Sequence, residues 1–216
     1  MLSLGGGHGE VPLWLMDDAH PDPVALVKAA AGADFKREKG DLYPGLRAAV
    51  PSHYASWLEA LVGGIAGLAS ARLLHSTFAT TSDDPAQLAP IQRIPHYDDA
   101  SPAIFAAVHY LCDTPHRGTG FFRHRRTGLA RITPDRVPLW RQGLAEDARR
   151  AGMPPAAYHE GSDARFEQLG QADLRFNRLI IYPANCLHSG DIGESWQHGA
   201  SPSGRLTTTS LLLLPG

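Results

Sequence analysis

The feature that most constrains this 216-residue chain is a change in the spacing of its apolar residues near residue 74. Before that point, segments 23–33 and 51–73 carry apolar residues at helical spacing, each with Pro at its start. After it come short runs rich in β-branched and aromatic residues, as expected for strands, at 74–81, 88–98, 104–112, 118–125, 178–183 and 205–214. Helices followed by many short strands predict a mainly β fold with flanking helices, a β-sandwich or jelly roll braced on one side by the N-terminal helices.

The length suits one hydrophobic core, so we expect a single domain over residues 1–216. Residues 1–85 are predicted to form an N-terminal helical support and residues 86–216 the β core. A helical insertion in the core is predicted at about 131–175, where the sequence reads WRQGLAEDARRAG. The chain contains no apolar run of roughly 18 residues, which predicts no contact with a membrane. The start MLSLGGGHGE also lacks the features of a secretory signal.

Cysteine usage and charge bear on location and partners. Cys112 and Cys186 both lie in apolar, strand-like runs, so we expect buried thiols in a reducing, cytoplasmic setting. The net charge of −2 argues against a broad surface for binding nucleic acid. The sequence gives no indication of the oligomeric state.

The first candidate for chemistry is the H-x-D element His96-Tyr97-Asp98. On a strand, residues two apart point the same way, so both side chains can reach one ion. His188, which follows the apolar run RLIIYP, is the best candidate for a second histidine ligand. Two histidines and one carboxylate leave three coordination positions open, an arrangement diagnostic of iron(II) oxygenases.

An H-x-D pair is by itself expected by chance in a chain with 11 histidines. A second one occurs at His20-Pro21-Asp22, and His8-Gly9-Glu10 is related. We set His20 aside because Asp22 is better placed to cap a helix. We set His8 aside because its glycine-rich terminus is expected to be mobile.

Arg205 and Thr207 supply the context that favours His96 and Asp98. They share a face at the start of the last strand. A dicarboxylate co-substrate that chelates iron through its keto-acid end needs a cation for its far carboxylate. The planar guanidinium binds a carboxylate through two hydrogen bonds, and a hydroxyl two residues away can add another. Without the histidines, Arg205 would be interpreted as a solvated residue at a strand start.

From about residue 88 to 213, the chain resembles the prolyl-4-hydroxylase-like branch of the iron(II)/2-oxoglutarate dioxygenases. The resemblance lies in segments that follow the family's order: HYD at 96–98, HYLC at 109–112, GTGFF at 118–122, FNRLIIYP at 176–183, CLHSG at 186–190 and GRLTTTSLL at 204–212. It implies a double-stranded β-helix, the cupin-like form of the jelly roll. The first 85 residues, including YPGLR at 43–47, are similar to an uncharacterised bacterial group with this domain.

The resemblance also implies residue roles. His96, Asp98 and His188 would bind Fe(II), and Tyr110 would join Arg205 in binding the far carboxylate of 2-oxoglutarate. The pattern departs from the family at Cys112, which replaces the usual asparagine, and in the loop 189–204, which is longer than usual.

The implied activity is that of an oxidoreductase, a dioxygenase that uses O2 to hydroxylate a C–H bond of an amino acid, peptide or natural product. An intact Asp98 favours hydroxylation, since halogenases of this superfamily have a small residue at that position. The substrate, a small molecule or a peptide, is not readable from the sequence. Two other classes stay open: a non-catalytic jelly roll that binds a ligand or partner, and a cupin-like metal hydrolase or isomerase.

Several other residues allow two interpretations. His116 and Arg117 lie in a hairpin turn and could line the mouth of the site, or be ordinary turn residues. Trp140 and Trp196 could belong to a lid or simply pack, and Asn185 could orient His188 or shape its turn. By strand alternation His109 faces away from Tyr110, so we expect a structural role. The basic run 123–126 is expected to be a solvated strand end rather than an acidic-substrate site.

Overall fold

The computed structural model describes residues 1–5, 11–38, 40–65, 68, 70–113, 115–198 and 204–214. The helices are α1 (Pro23–Ala31), α2 (Ser52–Gly63) and α3 (Val137–Ala151). The strands are β1 (Leu2–Leu4), β2 (Val11–Met16), β3 (Gly45–Ala49), β4 (Arg72–Thr81), β5 (Ile104–Tyr110), β6 (Thr119–His124), β7 (Phe166–Ala172), β8 (Leu179–Pro183), β9 (His188–Gly190) and β10 (Leu206–Leu213).

The strands form two facing antiparallel sheets. The large sheet has the order β1-β2-β8-β5-β10-β4-β3 and the small sheet the order β7-β6-β9. A bridge between His96 and His188 adds the segment around residue 96 to the edge of the small sheet beside β9. Strands β4, β10, β5 and β8 thus face segment 96–98, β9, β6 and β7. This is the double-stranded β-helix, and it confirms the fold class predicted from the sequence.

Alternation along the strands divides the apolar residues between the inside and the outside of the β-helix. Tyr110, Phe121 and Tyr182 belong to the cluster between the two sheets. On the outer face of the large sheet, Phe78 and Leu212 pack with residues of α1 and α2. The N-terminal helices therefore brace the large sheet, as the sequence predicts.

Local signals explain where the helices begin and end. The side chain of Asp22 accepts a hydrogen bond from the Ala25 N–H at the start of α1, and Pro23 occupies the first turn. Asp22 thus has the capping role expected from the sequence. Helix α2 is shorter than the predicted segment 51–73 because it ends at the Gly63–Gly64 pair, with Gly64 as its C-cap.

Three expectations about the elements were wrong. Residues 1–85 hold all of strands β1 to β4 as well as helices. The segment 88–98 is no strand, because Pro90 and Pro95 interrupt it and only His96 makes a ladder bridge. Segment 131–175 contains α3 but also β7, whose sequence FEQLGQA lacks apolar alternation because it lies at the edge of the small sheet.

Cys186 is buried and Cys112 half-buried, and both are free thiols. Burial raises the pKa of Cys112 to about 11 and that of Cys186 to about 12. No helix in the described part of the chain is long and apolar enough to cross a membrane.

Candidate metal and co-substrate site

The backbone brings His96 and His188 side by side. The His96 N–H donates to the His188 carbonyl at 2.9 Å, and the His188 N–H donates to the His96 carbonyl at 2.8 Å. Two residues further on, the Asp98 N–H donates to the Ala184 carbonyl at 2.9 Å. Because residues two apart on an extended segment point the same way, His96 and Asp98 face the same side.

The three side chains converge at the spacing that one ion requires. Asp98 Oδ1 lies 3.8 Å from His96 Nε2, and Asp98 Oδ2 lies 3.6 Å from His188 Nε2. One potential ligand atom from each side chain lies within 4.8 Å of the other two. Among the residues that the structure describes, no other group of three His, Cys, Asp or Glu side chains meets this spacing.

The surroundings keep both imidazoles ready to bind a cation. His188 Nδ1 lies 3.0 Å from the Cys186 carbonyl, which can only accept, so Nδ1 carries a proton and Nε2 is the nitrogen left to bind a metal ion. The pKa of His96 is lowered because the surrounding protein desolvates its charged form and because His188 lies beside it. The rings of Phe121 and Tyr182 lie 6.5 Å and 4.9 Å from that of His188 and form an apolar wall.

Arg205 is a buried cation without a carboxylate partner in the described part of the chain. Only 4% of it is exposed. Its Nε donates to the Arg117 carbonyl at 3.0 Å, and its Nη2 donates to the Gly118 carbonyl at 2.9 Å. Carbonyl oxygens orient a guanidinium but do not neutralise it, and an uncompensated buried charge is costly. This position is therefore suited to an anionic ligand.

Tyr110 lies next to this cation, and Thr207 is the partner of Tyr110 across the sheet. The Arg205 guanidinium carbon is 5.7 Å from the centre of the Tyr110 ring, and Thr207 pairs with Tyr110 across β10 and β5. Burial raises the pKa of Tyr110 to about 12 despite the nearby Arg205, so its hydroxyl stays protonated. The sequence did not single out Thr119, whose hydroxyl lies 2.8 Å from that of Tyr110.

Gly118 fixes the hairpin that orients Arg205. A Cβ on Gly118 would collide with the carbonyl oxygen of Ala172 in the neighbouring β7, so only glycine fits there. Its own carbonyl can consequently reach both Arg205 and the Asp191 N–H, which donates to it at 3.0 Å. The GTGFF segment noted in the sequence thus includes a close approach of two strands.

The open interpretations of several polar residues resolve towards structural roles. His109 is buried under α2, where its Nε2 lies 2.9 Å from Asn177 Oδ1. Asn185 Oδ1 accepts from Arg131 Nε at 2.8 Å, so Asn185 shapes its turn and makes no hydrogen bond to His188. Trp140 is 4% exposed and packs on the ring of His124.

The remaining surface features make their contacts with residues other than the three candidate ligands. Trp196 packs partly buried against the cluster that contains Tyr158 and Ile192. Arg117 forms ion pairs with Glu160 and Asp191, both at 3.2 Å. A cavity of about 840 Å³ is lined by Arg117, Tyr158 and Ile192 among others, but not by the His-Asp-His group.

Two arginines of the basic run 123–126 form ion pairs, Arg123 with Glu167 and Arg126 with Asp147. His116 lies in the hairpin and is 7% exposed, and its ring contacts that of His198 at 5.4 Å. His8 lies outside the described residues.

The fold and this site define a double-stranded β-helix protein with a candidate centre of two histidines and one carboxylate beside a buried arginine. The model of a family of unknown function, DUF6445, matches residues 4–212. The chain therefore belongs to the DUF6445 family. No curated protein matches the chain in sequence.

Solved structures resemble the chain in fold. HygX from Streptomyces hygroscopicus, with nickel and 2-oxoglutarate bound, has a TM-score of 0.54 at 12% identity over 95% of this chain and 84% of its own. The epimerase SnoN from nogalamycin biosynthesis, in complex with Fe3+, α-ketoglutarate and nogalamycin RO, has a TM-score of 0.52 at 14% identity over 94% of this chain and 79% of its own. At such identities the likeness shows the fold alone.

Proposed function

We propose that the protein is an iron(II)- and 2-oxoglutarate-dependent oxygenase. The observation that carries this proposal is Arg205, a buried guanidinium without a carboxylate partner among the described residues, in the same β-helix as the His96, Asp98 and His188 group. A metal centre alone would suit many classes of protein. A second site built for the far end of a dianion favours a dicarboxylate co-substrate.

The residues present fit both groups. Fe(II) would be held by His96 and His188 through Nε2 and by one oxygen of Asp98, which leaves three positions for ligands. The far carboxylate of 2-oxoglutarate would be received by Arg205, with hydroxyl groups from Tyr110 and Thr207. When bound, iron, 2-oxoglutarate and O2 supply the oxidising power for a C–H bond, and 2-oxoglutarate is converted to succinate and CO2.

The chain's own side chains would then orient the co-substrate and exclude water from the site. The carbonyls of Arg117 and Gly118 hold the guanidinium in one direction. Tyr110, protonated at neutral pH, can donate to the carboxylate that Arg205 binds. Phe121 and Tyr182 keep water from one side of the His-Asp-His group. The half-exposed His96 leaves the other side accessible to a substrate.

We further propose hydroxylation as the outcome and the prolyl-4-hydroxylase-like branch as the nearest relation. The support is the intact Asp98 and the order of the segments from HYD at 96–98 to GRLTTTSLL at 204–212. The solved structures that resemble the chain include an epimerase, so product analysis must accompany any activity measurement. A hydroxylase gives a product heavier by one oxygen atom that derives from O2.

Anaerobic titration of the Fe(II)-loaded protein with 2-oxoglutarate tests the proposal. We expect a weak visible charge-transfer band that saturates, and no band in the His96→Ala protein. Release of succinate on admission of air supports the same conclusion independently. If the wild type gives no band and behaves like His96→Ala, the oxygenase proposal is wrong.

A further inference from the structure

A second arginine, Arg47 of the YPGLR segment, lies on the inner face of the large sheet. Arg47 pairs with Ala79 of β4, Ala79 pairs with Thr207 of β10, and Thr207 pairs with Tyr110 of β5. Directly paired residues of an antiparallel sheet point to the same face. The Arg47 side chain therefore emerges on the same side as the two residues assigned to the co-substrate.

The contacts of Arg47 hold its guanidinium in one place. Nη1 donates to the hydroxyl oxygens of Thr77 at 3.0 Å and Thr209 at 2.7 Å. Nε donates to Asp41 Oδ2 at 2.5 Å, and the guanidinium carbon lies 4.4 Å from the centre of the Tyr43 ring. Nη2, with two N–H groups, has no acceptor among the described residues.

Arg47 reaches the same level along the β-helix axis as the His-Asp-His group. The hydroxyls of Tyr110 and Thr119 meet across the interior, which aligns the two sheets beside the hairpin 111–118. Thr209 lies two positions from the β10 partner of Tyr110, away from the hairpin. His188 pairs with Phe121, which also lies two positions from Thr119 on that side. Thr209, to which Arg47 donates, is therefore level with His188.

Residues at this level of the interior are partly exposed. Thr209 faces inwards from a central strand and yet is only half-buried. On the opposite sheet, 49% of the His96 side chain and 29% of the Asp98 side chain are exposed. The side chain of Arg47 itself is 17% exposed, so a bound molecule can reach it. A substrate bound between the two sheets would therefore meet solvent-accessible ligands on one wall and a held cation on the other.

We propose that Arg47 anchors a carboxylate group of the primary substrate, with the Thr77 and Thr209 hydroxyls beside it. A held guanidinium with one nitrogen that has no acceptor among the described residues suits a planar anion. Asp41 and Tyr43 act as positioning residues, because they fix the direction of the guanidinium. The proposal names the substrate class for the proposed oxygenase and rests on that function, but the anion site itself needs no metal.

Three probes of one shape and different charge test the proposal: benzoate, benzamide and benzamidine. They are titrated calorimetrically into protein loaded with Mn(II) and saturated with 2-oxoglutarate, so that Arg205 is occupied. A parallel titration uses the metal-free Arg205→Met protein, in which the co-substrate arginine is absent. We expect benzoate to bind at least tenfold more tightly than benzamide in both proteins, and benzamidine to bind more weakly than either.

The Arg47→Met change should weaken benzoate binding at least tenfold in both backgrounds, with the Kd for 2-oxoglutarate within twofold of the wild type. Arg47→Lys keeps a cation beside Asp41, which guards against misfolding, and should retain some preference for benzoate. The matched control Arg37→Met removes an exposed arginine that pairs with Asp83 outside the interior, and should leave benzoate binding unchanged.

Equal Kd values for benzoate and benzamide, or unchanged benzoate binding in folded Arg47→Met and Arg47→Lys proteins, overturns the anchor. Loss of 2-oxoglutarate binding in both Arg47 variants overturns it as well, since Arg47 would then serve the co-substrate. The two proposals fail separately. Without a charge-transfer band the oxygenase is wrong, yet a benzoate preference that depends on Arg47 in the metal-free Arg205→Met protein supports the anchor.

Discussion

Arg205 illustrates how one buried charge constrains function. The protein holds the guanidinium at 4% exposure, and its hydrogen-bond partners among the described residues are carbonyl oxygens. Burying an ion without a counter-ion costs several kcal/mol, and a chain gains nothing from it unless a ligand completes the pair. The arrangement thus stores a binding preference for an anion at a defined position.

Replacing Arg205 by Met should therefore raise the Kd for 2-oxoglutarate by about 10- to 100-fold, the usual range for loss of a charge-assisted bidentate pair. Metal affinity should change little because none of the three candidate ligands contacts Arg205. Calorimetry of the Mn(II)-loaded variant with 2-oxoglutarate measures the first quantity, and Mn(II) titration the second. Arg205→Lys, which keeps the charge but loses the fork, should lie in between. If Arg205→Met binds 2-oxoglutarate with the wild-type Kd, Arg205 does not bind the co-substrate.

Several site residues could be chosen from the sequence because their patterns are local. H-x-D needs only a two-residue spacing, and Arg205 with Thr207 needs the same. The structure brings these residues and His188 into one β-helix, although their binding roles stay predictions. Thr119 escaped notice because a threonine in a hairpin carries no pattern. The place of Arg47 depends on pairing across three strands, which no spacing in the sequence reveals.

At the scale of elements, α3 packs tightly against the outer face of the small sheet through Gly143. A Cβ on Gly143 would lie 2.7 Å from Thr127 Cγ2 and 2.9 Å from His124 Cε1. The His124 ring cannot give way easily, since its Nε2 lies 2.7 Å from Asp147 Oδ2 and its Nδ1 lies 2.9 Å from Thr127 Oγ1. Helix propensity favours alanine here and packing forbids it.

Gly143→Ala should consequently lower the free energy of unfolding by about 1 to 3 kcal/mol, the usual cost of overpacking, although alanine is the better helix former. The matched control is Gly63→Ala at the end of α2, where a Cβ meets no described atom within 4 Å. That change should stabilise the protein by up to about 1 kcal/mol. Denaturant unfolding of the three proteins measures both differences. Equal stabilisation by both changes would show that α3 does not pack closely at this point.

The elements that the sequence predicted best are those with strong apolar periodicity. Strands β5, β8 and β10 lie inside the large sheet and read as apolar or β-branched runs. Strand β7 is half-buried at a sheet edge, and its glutamines and glycine give it no apolar pattern from which a strand could be predicted. The opposite error occurred at 88–98, which was predicted as a strand. Its apolar residues pack in short turns, and its prolines interrupt any strand pairing.

At the scale of the whole molecule, the His-Asp-His group joins parts of the chain that are far apart in sequence. His96 and Asp98 enter from the segment after β4, and His188 begins β9. Their backbone bridge closes the small sheet beside β9. A bound ion would tie these segments together in the folded state only, because the unfolded chain holds no such cluster. Metal and co-substrate binding must then appear as added stability of the entire domain.

We expect Mn(II), a stand-in for Fe(II), to raise the Tm of the chelator-treated protein, and 2-oxoglutarate to raise it further when the metal is present. A ligand at 100 times its Kd adds about 2.7 kcal/mol, which corresponds to about 5 to 10 °C for a domain of this size. Succinate, which lacks the keto-acid end, should give a smaller increment. In His96→Ala the Mn(II) shift and the metal-dependent part of the 2-oxoglutarate shift should vanish. A shift with metal but none with 2-oxoglutarate would instead favour a cupin-like hydrolase or isomerase, and no shift with either would favour a non-catalytic binding protein.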